Sequence, residues 1–439
     1  MEQEVSSTPN RTNGGIMQFR QQGQTEIRPW QHGVIFLAAC LILISRRPDA
    51  VFNAQFWAED GHVWFADAYN FGWWSALFRT CEGYHSVFAR LGAALALLVP
   101  LAFAPLVLNL IAISVQALPV NLLLSSRSSV WGSLRFRALL AGIYLASPSC
   151  FELDGTITNS QWLLALCAFL LLAASPPQGI SGRLFDISIL LLCGLTGPFC
   201  IFLTPIAVFL AWRHRERWRW ATAGLLAATG LIQAWSLFSG GYASRPHVLL
   251  GASPAMLARV LAGQLYLGTL LGSNTAAVRP GIGPFIVFTC IAVAGTIFAV
   301  ICFLKSSWEM RLFVLFSAAI LAGGLIAPAP GPLAETDRWW LELLYGAGVR
   351  YWFFPDLALA WLILYCTQSR RQVLQAVSVL LLCILCFGIA IRWEIPAFRD
   401  AHFAEYAKSF EAAPPGTVMV IPINPEGWKM RLVKHASLR

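Results

Sequence analysis

Two pairs of acids hold the chemistry that this sequence offers. Glu59 and Asp60 stand side by side in Trp57-Ala58-Glu59-Asp60-Gly61, while Glu152 and Asp154 follow Pro148 and precede Asn159-Ser160-Gln161-Trp162. A carboxylate held beside a hydroxyl takes its proton as a new bond forms, which is the work of a general base. On a helix, neighbouring residues point about 100° apart, so Glu59 and Asp60 cannot face one substrate equally. Arg245 and Arg350 add guanidinium groups, whose planar fork matches a phosphate bidentately. His85 and Arg90 stand where the acidic segment returns to apolar sequence. A buried Arg90 needs an acid such as Glu82, or must reach outward. Plainer roles exist for the same residues. Asp60-Gly61 also reads as a turn with solvated acids, Asp154 as the cap of a helix starting near Thr158 to Gln161, and the arginines as interfacial anchors.

The elements that must position these groups are apolar. Of 439 residues, 57% are hydrophobic and only 12% charged, and the mean hydropathy is +0.63. That composition describes an all-α polytopic membrane protein and excludes a soluble globule. The net charge of +9 does not imply nucleic acid, because Lys and Arg fall in short clusters between apolar runs. There they set topology. Most of the eleven cysteines lie inside those runs, with no zinc spacing and no disulfide framework; a single Cys81–Cys150 bridge is compatible with both residues facing an oxidising outer compartment.

Along the chain, residues 1–30 read as a disordered cytoplasmic tail without a cleavable signal. About 11–12 transmembrane helices are expected over 31–391. A first span at 31–47 leads to a large outer loop, 46–87, dense in acids and in Trp57, Trp64, Trp73 and Trp74. Those indoles suit either sugar stacking or an interfacial aromatic belt. Residues 87–104 read as a broken or re-entrant piece and 106–124 as a full crossing, two crossings being the alternative. Spans follow at 138–149, 160–175, 186–196, 199–212 and 221–238. A long outer segment, 239–282, separates these from spans at 283–304, 312–328, 351–366 and 373–391. Basic clusters on alternate sides put the N-terminus in the cytoplasm and the C-terminus outside, although Arg46 and Arg47 oppose that orientation. Residues 392–439 are expected to form a small α+β tail. Phe398, Phe403, Tyr406 and Phe410 fall at helical spacing before Pro414-Pro415-Gly416, Thr417 to Ile423 reads as one strand, and Asn424 to Gly427 as a turn. No internal repeat of the kind found in many secondary transporters is visible.

No nucleotide-binding or zinc-protease motif occurs, and the cytoplasmic loops are short. The candidate groups all fall on the outer face, where nucleotide sugars do not reach. A donor would have to arrive through the membrane, as polyprenyl-phosphate carriers do. Trp57-Ala58-Glu59-Asp60-Gly61, Pro148 with Glu152 and Asp154 before Asn159-Ser160-Gln161-Trp162, Leu195-Thr196-Gly197-Pro198, and Arg350-Tyr351 resemble the bacterial integral-membrane glycosyltransferases of the C-type (GT-C) superfamily, in particular uncharacterised and O-antigen-modifying members. The resemblance covers most of the chain from about residue 33 onward. It implies an inner-membrane enzyme that moves a sugar from a polyprenyl-phosphate donor to a glycan or lipid acceptor at the periplasmic face, usually with inversion. It maps the general base onto Glu59 or Asp60, with Asp60 preferred by motif position and Glu59 left to a cation or acceptor. Asp154 and Glu152 become head-group contacts, with His85, Arg245, Arg350 and Tyr351 completing the substrate site. The first loop lacks a spaced Asp-X-Asp motif, so a divalent cation, Mg or Mn, remains open. A transporter or flippase, or a polymerase of lipid-linked glycans, is the alternative.

Overall fold

The computed structural model describes residues 27–148, 151–241, 248–272, 285–328, 337–344 and 348–435. Arg245, Cys150 and most of the expected N-terminal tail lie outside them.

The chain is an all-α polytopic membrane protein. Its helices are α1 (Pro29–Arg46), α2 (Val87–Ala96), α3 (Ala104–Leu124), α4 (Leu134–Ala146), α5 (Ser160–Ala173), α6 (Ile180–Gly194), α7 (Phe199–His214), α8 (Arg217–Ser236), α9 (Pro254–Leu271), α10 (Phe285–Lys305), α11 (Trp308–Ile326), α12 (Phe353–Cys366) and α13 (Gln372–Ile391). Among the described residues, eight helices, some including a flanking helical turn, are long and apolar enough to cross a membrane. Burial sorts them by position. In α5 and α12 nearly every residue is buried, whereas α1, α10 and α13 keep most of their apolar surface exposed, as lipid-facing helices do. Around α5 and α12 the core is aromatic: Phe313 meets Trp361 at 4.9 Å and Phe316 meets Phe354 at 4.8 Å between ring centroids.

Helix α2 has ten residues, about 15 Å, half the thickness of the apolar layer. It ends before Pro100, and α3 then runs for twenty-one residues through Pro119. The piece 87–104 is therefore short and broken, followed by one full-length helix. The expected outer segment 239–282 is different from its reading, because it contains the eighteen-residue apolar α9, with Val260 and Tyr266 packed inside the protein.

The polar segment between α1 and α2 folds into short helical turns, including a π-helix at Asp60–Phe65, and a two-residue hairpin of β1 (Thr80–Cys81) and β2 (Tyr84–His85). Gly72, at φ +83°, turns the chain between Ala66–Phe71 and Trp73–Leu77. After α13 comes α14 (Phe403–Ala412), then an antiparallel hairpin of β3 (Val418–Pro422) and β4 (Lys429–Val433). The tail thus has two strands where one was expected. Met430 and Leu432 point inward between the outward residues Lys429 and Arg431, an alternation that gives β3 its partner. The helix begins at Phe403, so Phe398 is free for another contact. Phe56, Phe65, Ala93, Leu108 and Ile157 join Phe403, Phe410, Ile421, Met430 and Leu432 in a second core, which unites the first loop, α2, α3 and the tail.

Candidate functional site

The acidic turn begins with an irregular backbone. Ala58 has φ +41°, a left-handed conformation for a residue with a Cβ, and Asp60 opens the π-helix that follows. Asp60 is 1% exposed. Its carboxylate accepts hydrogen bonds from the backbone N–H groups of Thr158 at 2.8 Å and Ile157 at 3.3 Å. Burial pushes this carboxyl well above the usual carboxylate range; the backbone donors oppose the rise and Glu59 adds to it. Next to it, Glu59 is half-buried and accepts from the Thr158 hydroxyl at 3.3 Å, and the same hydroxyl accepts from the Trp64 indole at 3.0 Å. Four hydrogen bonds therefore bring together two loops that are far apart in sequence.

Glu152, in the second loop, faces Arg350: the guanidinium and the backbone N–H of Arg350 each approach its carboxylate at 3.3 Å. The Glu152 carbonyl accepts from Thr156 at 2.7 Å and Asn159 at 2.8 Å, which closes the loop on itself. Glu59, Tyr84 and Tyr351 also lie within electrostatic reach of Arg350. Tyr84 bonds to Gln161 by its phenol, and burial pushes that phenol up. The Tyr351 ring meets Trp162 edge-on at 5.4 Å and Trp339 at 5.8 Å, with the Arg350 guanidinium 5.2 Å from its centroid. A Cβ at Gly324 would run into this ring, so a glycine is required there.

The Leu195-Thr196-Gly197-Pro198 turn fixes the hairpin that carries Tyr84 and His85. Gly197 donates to the His85 carbonyl at 2.9 Å, Val87 donates to the Leu195 carbonyl at 3.0 Å, and the Thr196 hydroxyl accepts from the Phe88 N–H at 3.0 Å. Gly197, at φ +77°, lies against the Gln161 side chain with no room for a Cβ. Gln233 holds both the N–H and the carbonyl of His85, at 2.9 and 3.2 Å. Burial, helped by Arg90, lowers the His85 pKa. Arg90 itself is 1% exposed and pairs with Asp67 at 3.1 Å, not with Glu82, while its guanidinium lies over Trp64.

Asp154 does not point into this cluster. Its carboxylate accepts from Gln116 of α3, and its carbonyl accepts from Arg47 at 2.8 Å. It does not cap α5 either, since the N–H groups just before that helix are taken by Asp60 from the other loop. The structure thus gathers Glu59, Asp60, Glu152, Arg350 and Tyr351 with the His85 hairpin, and turns Asp154 away. Arg245 lies outside the described residues. Three contributors went unnamed among the expected site residues: Thr158, Tyr84 and Gln161. Gln161 lay within a quoted motif, and Tyr84 beside His85. Among the described residues, no three His, Cys, Asp or Glu side chains come together as a metal-holding set.

No protein-family model matches the chain, and no curated protein matches its sequence. Among solved structures it is similar to an oligosaccharyltransferase from Archaeoglobus fulgidus, crystallised with a tethered acceptor peptide. The TM-score is 0.39 and the identity 13%, over 88% of this chain and 58% of that one. The chain accordingly spans little more than half the length of that structure.

Proposed function

We propose that this protein is an integral-membrane glycosyltransferase that takes a sugar from a polyprenyl-phosphate donor and passes it to a glycan or lipid hydroxyl on the periplasmic face of the bacterial inner membrane. The observation that carries the proposal is the half-buried Glu59 carboxylate within electrostatic reach of the Glu152–Arg350 pair, where two distant loops meet at the ends of the helices.

In this reading Glu59 takes the proton of the acceptor hydroxyl, and the hydroxyl oxygen bonds to the anomeric carbon. The bond from that carbon to the phosphate oxygen breaks with inversion, and the lipid phosphate leaves with the electron pair. Arg350 meets the charge that develops on the phosphate, a service that a guanidinium performs best where water is scarce. Tyr84 and Gln161 border the same space. The base role moves here from Asp60 to Glu59 for a geometric reason: both Asp60 oxygens already accept backbone N–H groups and the residue is sealed. Asp60 positions the second loop. The step as written uses a carboxylate and a guanidinium; among the described residues no three His, Cys, Asp or Glu side chains gather as a ready set for Mg or Mn.

The deciding experiment replaces Glu59 and Asp60 separately in producing cells and measures the mass of their surface glycans. Glu59→Gln is expected to remove the added sugar. Unchanged glycans in both variants would leave the proposal without a base.

A further inference from the structure

We infer that the tail after α13 is a positioning element of the acidic turn, acting through Asn424 on the backbone of Ala58. The inference rests on the glycosyl-transfer reading only for its activity readout; the contacts stand by themselves.

A left-handed backbone at a residue with a Cβ persists only where its surroundings impose it. At Ala58, at φ +41°, the surroundings are the tail. The Ala58 N–H donates to the Asn424 carbonyl at 2.5 Å, and the Asn424 N–H donates to the Phe56 carbonyl at 3.1 Å, so that a bridge grips the chain on both sides of Trp57. Asn424 is itself buried, and its side-chain amide donates to the Arg399 carbonyl at 2.9 Å. On the far side of the two acids, a Cβ on Gly61 would stand 3.1 Å from Ile423 and 3.0 Å from Phe56. Glu59 and Asp60 are thus clasped between two consecutive tail residues. A third hold lies beneath: the Trp57 ring stacks on Phe398 at 4.6 Å, Phe398 lies 3.6 Å under the Arg47 guanidinium, and its N–H donates to Asp49 at 2.9 Å. The direction of the Glu59 side chain follows from this backbone, so a chain loosened at Asn424 would keep its bundle and lose its aim.

The test uses the full-length protein in detergent with Phe398→Ala and Asn424→Ala combined. Amide exchange is followed over residues 56–62 and over α5 and α12, alongside glycan mass in producing cells. The expected result is exchange over 56–62 faster by roughly tenfold or more, with sugar transfer down by about tenfold or more and α5 and α12 still protected. Faster exchange with undiminished transfer would overturn the inference, and so would unchanged exchange. If protection is lost everywhere in the double variant, the single Phe398→Ala variant is read on the same two quantities. Glu59→Gln separates the two ideas: full transfer in that variant removes the glycosyl reading, while the exchange result still decides whether the tail holds Ala58.

Discussion

The arginines at the ends of the helical bundle do two kinds of work. At one end, guanidinium groups finish helices. Arg219 donates to the Leu172 and Ala174 carbonyls at 2.6 and 3.1 Å, Arg311 to those of Phe303 and Leu304 at 3.0 and 2.7 Å, and Arg137 to that of Leu123 at 3.1 Å. These carbonyls have no partner inside their own helices. At the other end Arg46 and Arg47 do similar work, Arg46 on Leu145 and Ser147 at 2.7 Å and Arg47 on Phe151 at 2.9 Å. Carboxylates also stand by Arg219 (Glu216, 2.9 Å) and Arg47 (Asp49, 3.9 Å); Arg350 is set apart because its guanidinium and its backbone N–H both approach one carboxylate, that of Glu152, with Glu59, Tyr84 and Tyr351 within electrostatic reach. Position at a helix end says little about an arginine; the group it faces says more. A guanidinium committed to carbonyls is framework, and so is one locked to a single acid, as Arg127 is to Asp186; one bordered by several ionisable groups can exchange a partner for an anion.

That contrast can be broken or sharpened by substitution. The largest effect is expected at the acids beside Arg350: Glu59→Gln should lower sugar transfer by about 10²–10⁴-fold while the thermal unfolding midpoint in detergent stays put. Asp60→Ala should do the opposite in kind, since it strands two buried N–H groups, at a cost of about 1–3 kcal/mol each, and its midpoint should drop. If both variants behave alike, the division of labour between the two acids is wrong. Next comes the framework. Arg46→Ala removes a buried guanidinium from three carbonyls, Trp393 included, and should destabilise the protein by roughly 3 kcal/mol or more; a neutral result would show those contacts to be dispensable. Asp186→Asn weakens the Arg127–Asp186 pair, 2.6 Å long with the arginine about a quarter exposed. Solvent screening should limit that loss to about 1 kcal/mol, again read as an unfolding midpoint. The smallest effect is chemical. Burial, then Glu59 and Glu82, push the Cys81 thiol up to about 12. Its alkylation at pH 8 should therefore lag behind a free thiol by roughly three orders of magnitude, and fast labelling would mean that the hairpin is open.

Much of the scaffold was legible in composition, because a long apolar run has few other ways to satisfy its backbone in a bilayer. Residues 106–124 and 373–391 became α3 and α13 within a few positions. Arg46 and Arg47 counted against the expected orientation, and the structure buries both on carbonyls. The apolar α9 was hidden in a segment whose flanks are polar. In the site, adjacency told that only one of Glu59 and Asp60 could face a substrate. Which one depended on the N–H groups of Ile157 and Thr158, and a partner so remote leaves no mark on local spacing. The same holds for Asn424, whose side chain and turn position gave no sign that its carbonyl would meet Ala58. Phe398 kept helical spacing with Phe403 and Tyr406 but stacks on Trp57 instead, since the helix starts only at Phe403.

The second core, shared by the first loop and the tail, also imposes an order in time. During synthesis the segment around Glu59 leaves the ribosome long before the residues of β3 and β4, and for that interval Phe56 and Phe65 lack Phe403 and Ile421. The surroundings of Glu59 are therefore complete only once β3 and β4 have been made, and until then the first loop lacks part of the apolar core it packs against.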